Sequence, residues 1–286
     1  MAAGEATGAA PAQIPQGPRT RFILIEPSHA GNVGAAARAV KVMGFAELTL
    51  VKPRWPNVLE RKEAIERASG ATDVLHAARV VETLDEALDG MTHLCATVMT
   101  PRDFGPPTAV PRAHFDALLP AGAPDAWPEG VALLFGCERF GMSNADVYRC
   151  HAALSIPSNP AFGSLNLAAA VQLIAYDWRQ ALMARGLGYA AQGMGDGVAA
   201  PESASARTFR APAGQRQRDA DAAQVAGLLA HWQQALVHLG FLDPAAPKKL
   251  MPRLTQLFNR AQPTVEEIDI LRGIARAMEQ AMPRSR

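Results

Sequence analysis

The segment from Ile156 to Asn166 has the composition of a ligand-binding loop. It holds two prolines, one glycine, two serines and two asparagines, which favour turns over regular structure. A short apolar run (152–156) precedes it, and a run with apolar residues at helical spacing (167–177) follows it. A strand, a polar loop and a helix in this order direct backbone N–H groups and small polar side chains toward one place, which suits a polar ligand. The alternative is that Ser164 or Asn166 only caps a core helix.

Apolar runs typical of buried strands alternate with helix-forming runs through the first 180 residues. The predicted strands cover 22–26, 47–51, 78–82, 92–97, 131–135 and 152–156; the predicted helices are one that Asn32 caps and Gly44 ends, then 59–68, 84–88, 112–118 and 167–177. This alternation indicates an α/β fold with a mostly parallel sheet and helices on both faces. Ligands of such sheets bind at the carboxyl ends of the strands. The polar segments at those ends are 27–32, 97–102, 136–141 and 157–166.

Composition predicts a globular protein of one or two domains, because 49% of the 286 residues are hydrophobic. No apolar run approaches the roughly 20 residues of a membrane helix, so we expect no membrane partner. The three cysteines are too few and too scattered for a disulfide framework or a paired metal motif, which favours the cytoplasm and predicts no metal. Residues 181–286 carry 13 Lys and Arg against 9 Asp and Glu, net +4, and residues 1–180 carry 15 against 18, net −3. This excess of positive charge is compatible with a phosphate backbone as partner.

Local composition divides the chain into four segments. Residues 1–20 are rich in Ala, Gly, Pro and Gln and predict a disordered tail, and residues 21–182 hold the α/β pattern. Residues 183–220 are rich in Gly, Ala, Ser and Pro and predict a flexible linker. Residues 221–286 predict a small helical C-terminal extension, whose last helix begins with a capping box at Thr264.

Three polar motifs at the predicted strand ends resemble the signature motifs of a known enzyme family. They are Asn-Val-Gly-Ala-Ala-Ala-Arg at 32–38, Gly-Cys-Glu-Arg-Phe-Gly at 136–141, and 156–166 with its final Ser-Leu-Asn. In order, spacing and strand context they are similar to the SpoU (TrmH-like) branch of the SPOUT RNA 2′-O-methyltransferases. The stretches 25–34 and 254–263, the latter followed by 271–274, resemble the TrmJ type of tRNA methyltransferase. The likeness spans about residues 20–182 and 222–280.

This resemblance implies a trefoil knot formed by the last motif, a homodimer, and S-adenosylmethionine held in the knot as methyl donor. The residues that it assigns to the methyl donor are Thr97, Val98, Met99, Gly136, Ile156, Gly163, Ser164 and Leu165. Most of these contacts would be made by the backbone, and the glycines would let the chain approach the ligand closely. Relatives often carry Ser-Ala-Arg where this chain has Val-Met-Thr at 98–100, so backbone contacts are expected there as well.

The resemblance also implies a set of residues that activates a ribose 2′-hydroxyl. The set is Arg38 with Asn32, Glu138, Ser164 and Asn166 around it. A guanidinium has a pKa above about 12, so it is suited to binding phosphate and stabilising a forming alkoxide rather than to accepting a proton. His29 and His151 are the alternative bases. Methyl transfer from a sulfonium needs in-line approach and loss of one proton, with no metal.

We therefore expect a tRNA ribose 2′-O-methyltransferase that acts on cytidine or uridine at nucleotide 32 of the anticodon loop. In the C-terminal extension, the candidate RNA contacts are Lys248, Lys249, Arg253 and Arg260. Two alternatives stay open: the same chemistry on ribosomal RNA, and an RNA-binding knot protein without activity. The complete catalytic set opposes the second alternative, because RNA binding alone does not need those residues together.

Overall fold

The computed structural model describes residues 17–187 and 218–281. Most of the predicted N-terminal tail (1–16), most of the predicted linker (188–217) and the last five residues (282–286) lie outside the described residues.

The described residues form seven strands and ten α-helices. The strands are β1 (Arg19–Ile25), β2 (Glu47–Val51), β3 (Arg79–Val81), β4 (His93–Thr97), β5 (Thr108–Ala109), β6 (Gly130–Phe135) and β7 (Ala152–Leu154). The helices are α1 (Ala30–Val42), α2 (Lys62–Ala68), α3 (Thr72–His76), α4 (Leu84–Leu88), α5 (Pro111–Leu118), α6 (Asn144–Tyr148), α7 (Leu167–Met183), α8 (Ala222–His238), α9 (Leu250–Ala261) and α10 (Val265–Ala281). Short 3₁₀ turns cover Val58–Glu60, Ser69–Ala71 and Pro124–Ala126.

The strands form one sheet in the order β3-β2-β1-β6-β4-β7-β5, and each neighbouring pair is parallel. Successive side chains of a strand point to opposite faces. In β1, Ile23 and Leu24 are both fully buried but belong to two different hydrophobic clusters, as do Leu133 and Leu134 in β6. Both faces of the sheet are therefore covered, which confirms the predicted α/β architecture.

The first strand begins earlier than predicted, because two of its residues are charged. β1 starts at Arg19, three residues before the predicted start, so the end of the predicted tail belongs to the sheet. Arg21 is only 2% exposed, and its guanidinium donates to the backbone oxygens of Ala87 and Asp89 and pairs with Glu47. A buried arginine with these partners is compatible with a strand, although its charge interrupts the apolar pattern.

Two helix boundaries also differ from the prediction. Asn32 does not cap α1, because the helix begins at Ala30 with His29 in the cap position, and Asn32 is its third residue. The predicted helix at 59–68 is a 3₁₀ turn followed by α2 from Lys62. By contrast, Asn166 caps α7 as the sequence allowed, with its side chain accepting from the backbone N–H of Ala168 at 2.9 Å.

Helices α8, α9 and α10 form the C-terminal end of the described chain and share a cluster around Leu228, Phe258 and Ile268. They contact the α/β part of the same chain. Asn259, which is 7% exposed, donates from Nδ2 to the backbone oxygens of Tyr148 and Cys150 at 2.8 and 3.2 Å. Within the described ranges, no helix is both long and apolar enough to cross a membrane.

Candidate active site

Glu138, in the loop after β6, is the point at which the first two motifs meet. Its Oε2 accepts from the backbone N–H and the hydroxyl of Ser28, both at 2.8 Å. Its Oε1 accepts from the backbone N–H of His29 at 3.2 Å and from Nδ2 of Asn32 at 2.9 Å. The carboxylate thus receives four hydrogen bonds from the segment that starts α1. It supplies the partner that the amino end of α1 does not obtain from its own cap residue.

The third motif joins the same network through two asparagines. Nδ2 of Asn166 donates to Oδ1 of Asn32 at 2.9 Å, while Oδ1 of Asn166 caps α7. The chain Glu138–Asn32–Asn166 therefore fixes the orientation of both amide groups. All three predicted motifs therefore meet at the carboxyl edge of the sheet. The side chain of Asn166 both caps α7 and takes part in the network of the site.

The environment of Glu138 keeps it ionised. Burial raises its pKa, but the hydrogen bonds from Asn32 and Ser28 favour the charged form, and the net effect lowers the pKa below the ordinary value of a glutamate. The carboxylate is consequently a stable acceptor at neutral pH. Its role in this geometry is to hold Asn32 and the start of α1 in place.

Two predicted catalytic residues are outside this network. Arg38 is exposed on α1, and its side chain forms no hydrogen bond or ion pair among the described residues. Six residues along a helix correspond to a rise of about 9 Å and a rotation of about 240°, so Arg38 lies well along α1 from Asn32. Ser164 is also exposed and has no hydrogen-bond partner in the described part of the chain. Both side chains are free to contact a substrate.

The predicted methyl-donor residues line the ends of β4, β6 and β7. The backbone N–H of Val98 donates to Leu154 at 2.9 Å, which joins the segment after β4 to the end of β7. Oγ1 of Thr97 is buried without a hydrogen-bond partner among the described residues. Met99 is 67% exposed, and Leu165 is exposed as well. These segments offer both an unpaired buried hydroxyl and exposed apolar side chains, which suits a ligand with polar and apolar parts, so the residues present fit S-adenosylmethionine.

The two glycines of this region stand where their own loops come close together. A Cβ on Gly136 would lie 2.2 Å from the backbone carbon of Gly141 and 2.3 Å from the nitrogen of Met142. A Cβ on Gly163 would lie 2.9 Å from Oγ of Ser158. Both glycines therefore allow a close approach within their own loops, and their close approach to a ligand stays a prediction. Ile156 is half-buried and packs against the core.

The two alternative bases lie in different places. His151 precedes β7, and its Nδ1 accepts from the backbone N–H of Leu94 at the start of β4, at 3.0 Å. It therefore lies at the amino edge of the sheet, opposite the three motifs, and is wrong as a candidate base. Burial lowers its pKa to about 4, with a contribution from His114. His29 remains beside the site, since its backbone N–H bonds to Glu138.

A buried histidine cluster at the amino edge of the sheet was not foreseen in the sequence. The ligand atoms of His93, Cys95 and His114 lie within 4.8 Å of one another, a spacing compatible with a metal ion. Nε2 of His93 is 3.1 Å from Nε2 of His114, and Nδ1 of His93 is 3.2 Å from Nε2 of Gln262 in the C-terminal extension. These contacts also form a consistent neutral chain: Gln262 donates to His93, which donates to His114.

The predicted RNA contacts of the extension, Lys248, Lys249, Arg253 and Arg260, are all exposed. Two of them also contact the α/β part of the chain. Nζ of Lys249 and Cζ of Arg253 lie 4.3 and 5.7 Å from the ring centroid of Phe104. These two cations therefore help to dock α9, and they remain accessible to an anionic partner.

A cleft beside Asn32 contains residues that we did not single out in the sequence. One part, of about 460 Å³, is lined by Ser28, His29, Ala30, Gly31, Arg54, Trp55, Arg61, Glu63, Glu66 and Arg67. A second part, of about 430 Å³, is lined by His29, Gly31, Asn32, Ala35, Arg67 and Asn166. The two parts share His29, Gly31 and Arg67 in their linings, so they are adjacent. Ser28 belongs to the 25–34 stretch on which the TrmJ resemblance rests, so that resemblance was the signal available for it.

Comparisons with known proteins show the family of the chain. The model of the SpoU rRNA methylase family matches residues 19–176, and the model of the C-terminal domain of the tRNA methyltransferase TrmJ matches residues 223–286. The chain is 40% identical to the tRNA (cytidine/uridine/adenosine-2′-O-)-methyltransferase TrmJ of Pseudomonas aeruginosa strain UCBPP-PA14, over 90% of this chain and 92% of that protein. It is 36% identical to the tRNA (cytidine/uridine-2′-O-)-methyltransferase TrmJ of Yersinia pestis strain Pestoides F, over 91% of each.

A solved structure extends this likeness to the fold. The crystal structure of TrmJ from Z. mobilis ZM4 matches 91% of this chain and 99% of its own chain, with a TM-score of 0.70 at 29% identity. The match includes the α/β part and the helices that follow it. The chain therefore belongs to the SpoU family of RNA 2′-O-methyltransferases, in its TrmJ branch.

Proposed function

We propose that this enzyme transfers a methyl group from S-adenosylmethionine to the ribose 2′-hydroxyl of cytidine or uridine at nucleotide 32 of the tRNA anticodon loop. The observation that carries the proposal is the Glu138–Asn32–Asn166 hydrogen-bond chain, which unites the three motifs at one edge of the sheet. The named activities of the TrmJ relatives, which act on tRNA riboses, support the choice of substrate. Because tRNA is the proposed substrate, we place the activity in the cytoplasm.

The methyl donor supplies an electrophilic methyl group on a positively charged sulfur. The segments at 97–99, 136 and 156–165 would hold it, and among them Oγ1 of Thr97 is a buried polar atom without a partner among the described residues. Arg38 binds the RNA next to the reacting hydroxyl and stabilises the alkoxide as it forms. In the transfer, the carbon–sulfur bond breaks, a carbon–oxygen bond forms, and the hydroxyl proton is lost to a base or to water. Ser164, exposed at the end of the third motif, is placed to hydrogen-bond the ribose.

We extend the proposal to the trefoil knot of the family. β7 is hydrogen-bonded between β4 and β5, which are earlier in the chain and are joined to each other by the residues from 98 to 107. On one side, the N–H of Val98 bonds to Leu154, and on the other, the N–H of Ser155 bonds to Ala109. A late strand inserted between two connected earlier strands is the arrangement that a threaded chain requires.

The homodimer is also part of the proposal. Leu173, Tyr176 and Met183 are each more than two-fifths exposed and follow one another on α7 at helical spacing. Val42, at the end of α1, is exposed as well, and α1 packs against α7. An apolar stripe of this kind on an otherwise polar surface supports a contact with a second copy of the chain. We retain 21–182 as the catalytic unit and 221–286 as an RNA-binding extension.

The test is incorporation of tritiated methyl groups from S-adenosylmethionine into unmodified tRNA transcript, followed by mapping of the modified nucleotide. We expect incorporation at nucleotide 32, and a loss of about 10²- to 10³-fold in kcat for Arg38→Ala, the magnitude typical of a removed transition-state donor. Arg79→Ala is the matched control, because Arg79 is an exposed arginine at the amino end of β3, away from the motifs. Activity on ribosomal RNA alone would preserve the chemistry and overturn the tRNA target. Binding without transfer on either RNA would favour an inactive RNA-binding protein.

A further inference from the structure

The arginines of the cleft beside Asn32 differ from the arginines that have structural roles elsewhere in the described chain. Arg19 and Arg21 pair with Glu47, and Arg112 pairs with Asp177. In contrast, the side chains of Arg54 and Arg67 make no hydrogen bond or ion pair with any described residue. These two side chains line the cleft with a positive charge that the folded chain does not neutralise.

A third arginine is held at the cleft by an aromatic ring. Cζ of Arg61 lies 4.4 Å from the ring centroid of Trp55, and Cζ of Arg54 lies 5.0 Å from it. Nε of Arg61 is buried without a hydrogen-bond acceptor, since the nearest carboxylate oxygen, on Glu63, is 3.6 Å away, which is beyond hydrogen-bond distance. Trp55 is 37% exposed. Its ring keeps two like charges close together, an arrangement that costs energy unless an anion binds between them.

The acidic side chains of the cleft do not cancel this charge. Glu66 pairs with Lys62 at 3.6 Å, so its charge already has a partner on the same helix. Glu63 lies 3.6 Å from Nε of Arg61 and offsets the charge of that arginine, so Arg54 and Arg67 remain without a carboxylate partner among the described residues. The lining is therefore net positive.

The cleft leads directly to the site of methyl transfer. A Cβ on Gly31 would lie 3.5 Å from Cγ of Arg67, so the arginine stem of α2 lies over the glycine at the start of α1. The floor continues through Ala35 between Arg67 and Asn166. Arg38 lies one turn further along α1, about 10 Å from Gly31 by the rise of the helix. A groove with small residues in its floor and cations along its wall fits a nucleic-acid strand.

We infer that Arg54, Arg61 and Arg67, with Trp55 holding the first two, form a subsite for the phosphates of the substrate RNA next to the methylated ribose. The inference deepens the proposed function and rests on it, because it assumes that the substrate is RNA. The contacts are to the phosphate backbone, which position the RNA without reading its sequence. The subsite therefore contributes to affinity and placement, while the residues around Asn32 act on the ribose.

The experiment measures binding of unmodified tRNA transcript to the full-length enzyme at several salt concentrations, and methyl transfer in parallel. Each of Arg61→Gln and Arg67→Gln removes one phosphate contact, so the slope of log K against log salt should become shallower by about 0.7, and affinity at 0.1 M salt should fall about fivefold. KM for tRNA should rise by the same factor with kcat nearly unchanged. Arg79→Gln replaces an exposed arginine at the amino end of β3, away from the cleft, and should leave the salt slope, the affinity and KM unchanged.

Trp55 provides a second pair of variants. Trp55→Phe keeps a ring against the guanidinium groups and should retain near-wild-type affinity for tRNA. Trp55→Ala should weaken tRNA binding more than a single arginine replacement does. A wild type that methylates tRNA, with unchanged slopes and KM values in Arg61→Gln and Arg67→Gln, would overturn the subsite and leave the proposed function intact. A wild type that binds tRNA with arginine-dependent slopes but methylates nothing would support the subsite and refute the proposed function. Thermal unfolding of each variant separates these results from loss of folding.

Discussion

Replacing Glu138 by Gln tests the hydrogen-bond network without changing the size of the side chain. Each carboxylate oxygen accepts two hydrogen bonds: Oε2 from the N–H and hydroxyl of Ser28, and Oε1 from His29 and Asn32. A glutamine has only one oxygen, so its NH₂ group must face one of the two pairs of donors. The less costly orientation directs the oxygen toward Asn32 and the NH₂ group toward Ser28, whose hydroxyl can turn and accept.

The cost follows from the donor that is left over. The backbone N–H of Ser28 then faces another donor, and a partly buried donor without a partner costs about 1–3 kcal/mol. The remaining bonds lose the assistance of the negative charge, which adds about 1 kcal/mol. We therefore expect Glu138→Gln to lower the free energy of unfolding by about 2–4 kcal/mol at pH 7. We also expect kcat to fall about 10- to 100-fold, because the orientation of Asn32 loosens at the site.

Urea unfolding and single-turnover methylation of tRNA would measure both effects. Ser28→Ala is the control, since it removes one hydroxyl donor and keeps the carboxylate; we expect it to cost about 1 kcal/mol. The folded pKa of Glu138 is lowered, so the stabilising contribution of its charge is fully present above its unfolded pKa and is lost as pH falls through the folded value. The stability difference between wild type and Glu138→Gln should accordingly shrink below roughly pH 4. Equal stability at pH 7, or a difference that persists in acid, would refute the reasoning.

Three further predictions concern stability. Burial lowers the pKa of His114 and His151 to about 4, so the protein should lose stability as pH falls from 6.5 toward 4, on the order of 2 kcal/mol per group at pH 5, measured as urea midpoints against pH. A flat profile over that range would contradict neutral, buried imidazoles. Asn259→Ala leaves two backbone carbonyls unpaired and should cost about 1–3 kcal/mol in thermal unfolding; no change would mean that α9 is not docked as described. Gly34→Ala places a Cβ 1.9 Å from a backbone oxygen of α2 and should lower the free energy of unfolding by about 3 kcal/mol. Gly273→Ala has open space around the new Cβ and should raise the free energy of unfolding by about 0.5–1 kcal/mol.

The sheet was predictable because its strands are buried on both faces and therefore appear as continuous apolar runs. Val131 to Phe135 illustrates this, since every residue of β6 is buried and the predicted strand differs by one residue. β1 was predicted only in part, because Arg21 is charged and its partners, Ala87 and Asp89, are more than sixty residues away. Local patterns do not report partners at that distance.

The site shows the same division between local and distant information. The motif residues were identified by their resemblance to a family, and the structure joins Asn32, Glu138 and Asn166 by hydrogen bonds. The sequence alone suggested that Asn32 caps a helix, because asparagine is common in that position. In the structure the cap function comes from Glu138, which is 106 residues away from Asn32. No spacing rule along the chain relates a carboxylate in one loop to the amino end of a distant helix.

The polar residues of the 254–263 stretch also have distant partners that the sequence did not reveal. Gln256 donates to the backbone oxygen of Gly105. Asn259 donates to two backbone oxygens just before β7, and Gln262 contacts the side chain of His93. Gln256 and Asn259 lie three apart on α9 and therefore share the face that contacts the α/β part of the chain, and Gln262 directly follows the end of this helix. The long proline-rich stretch after β4 is therefore partly a docking surface for the extension. Its function could not be inferred from composition, which indicates only that the stretch is irregular.

The packing of α1 explains how the fold positions the residues that this helix brings to the site. Gly34 lets α1 approach α2 so closely that no side chain fits between them, and α1 also packs against α7. The helix that carries Asn32 and Arg38 is thus held on two sides by other helices and at its amino end by Glu138. A displacement of α1 by even one side-chain radius would break the contact with α2 and separate Asn32 from both of its partners. Asn32 and Arg38, which we propose as catalytic residues, are therefore carried on a helix that the fold itself positions.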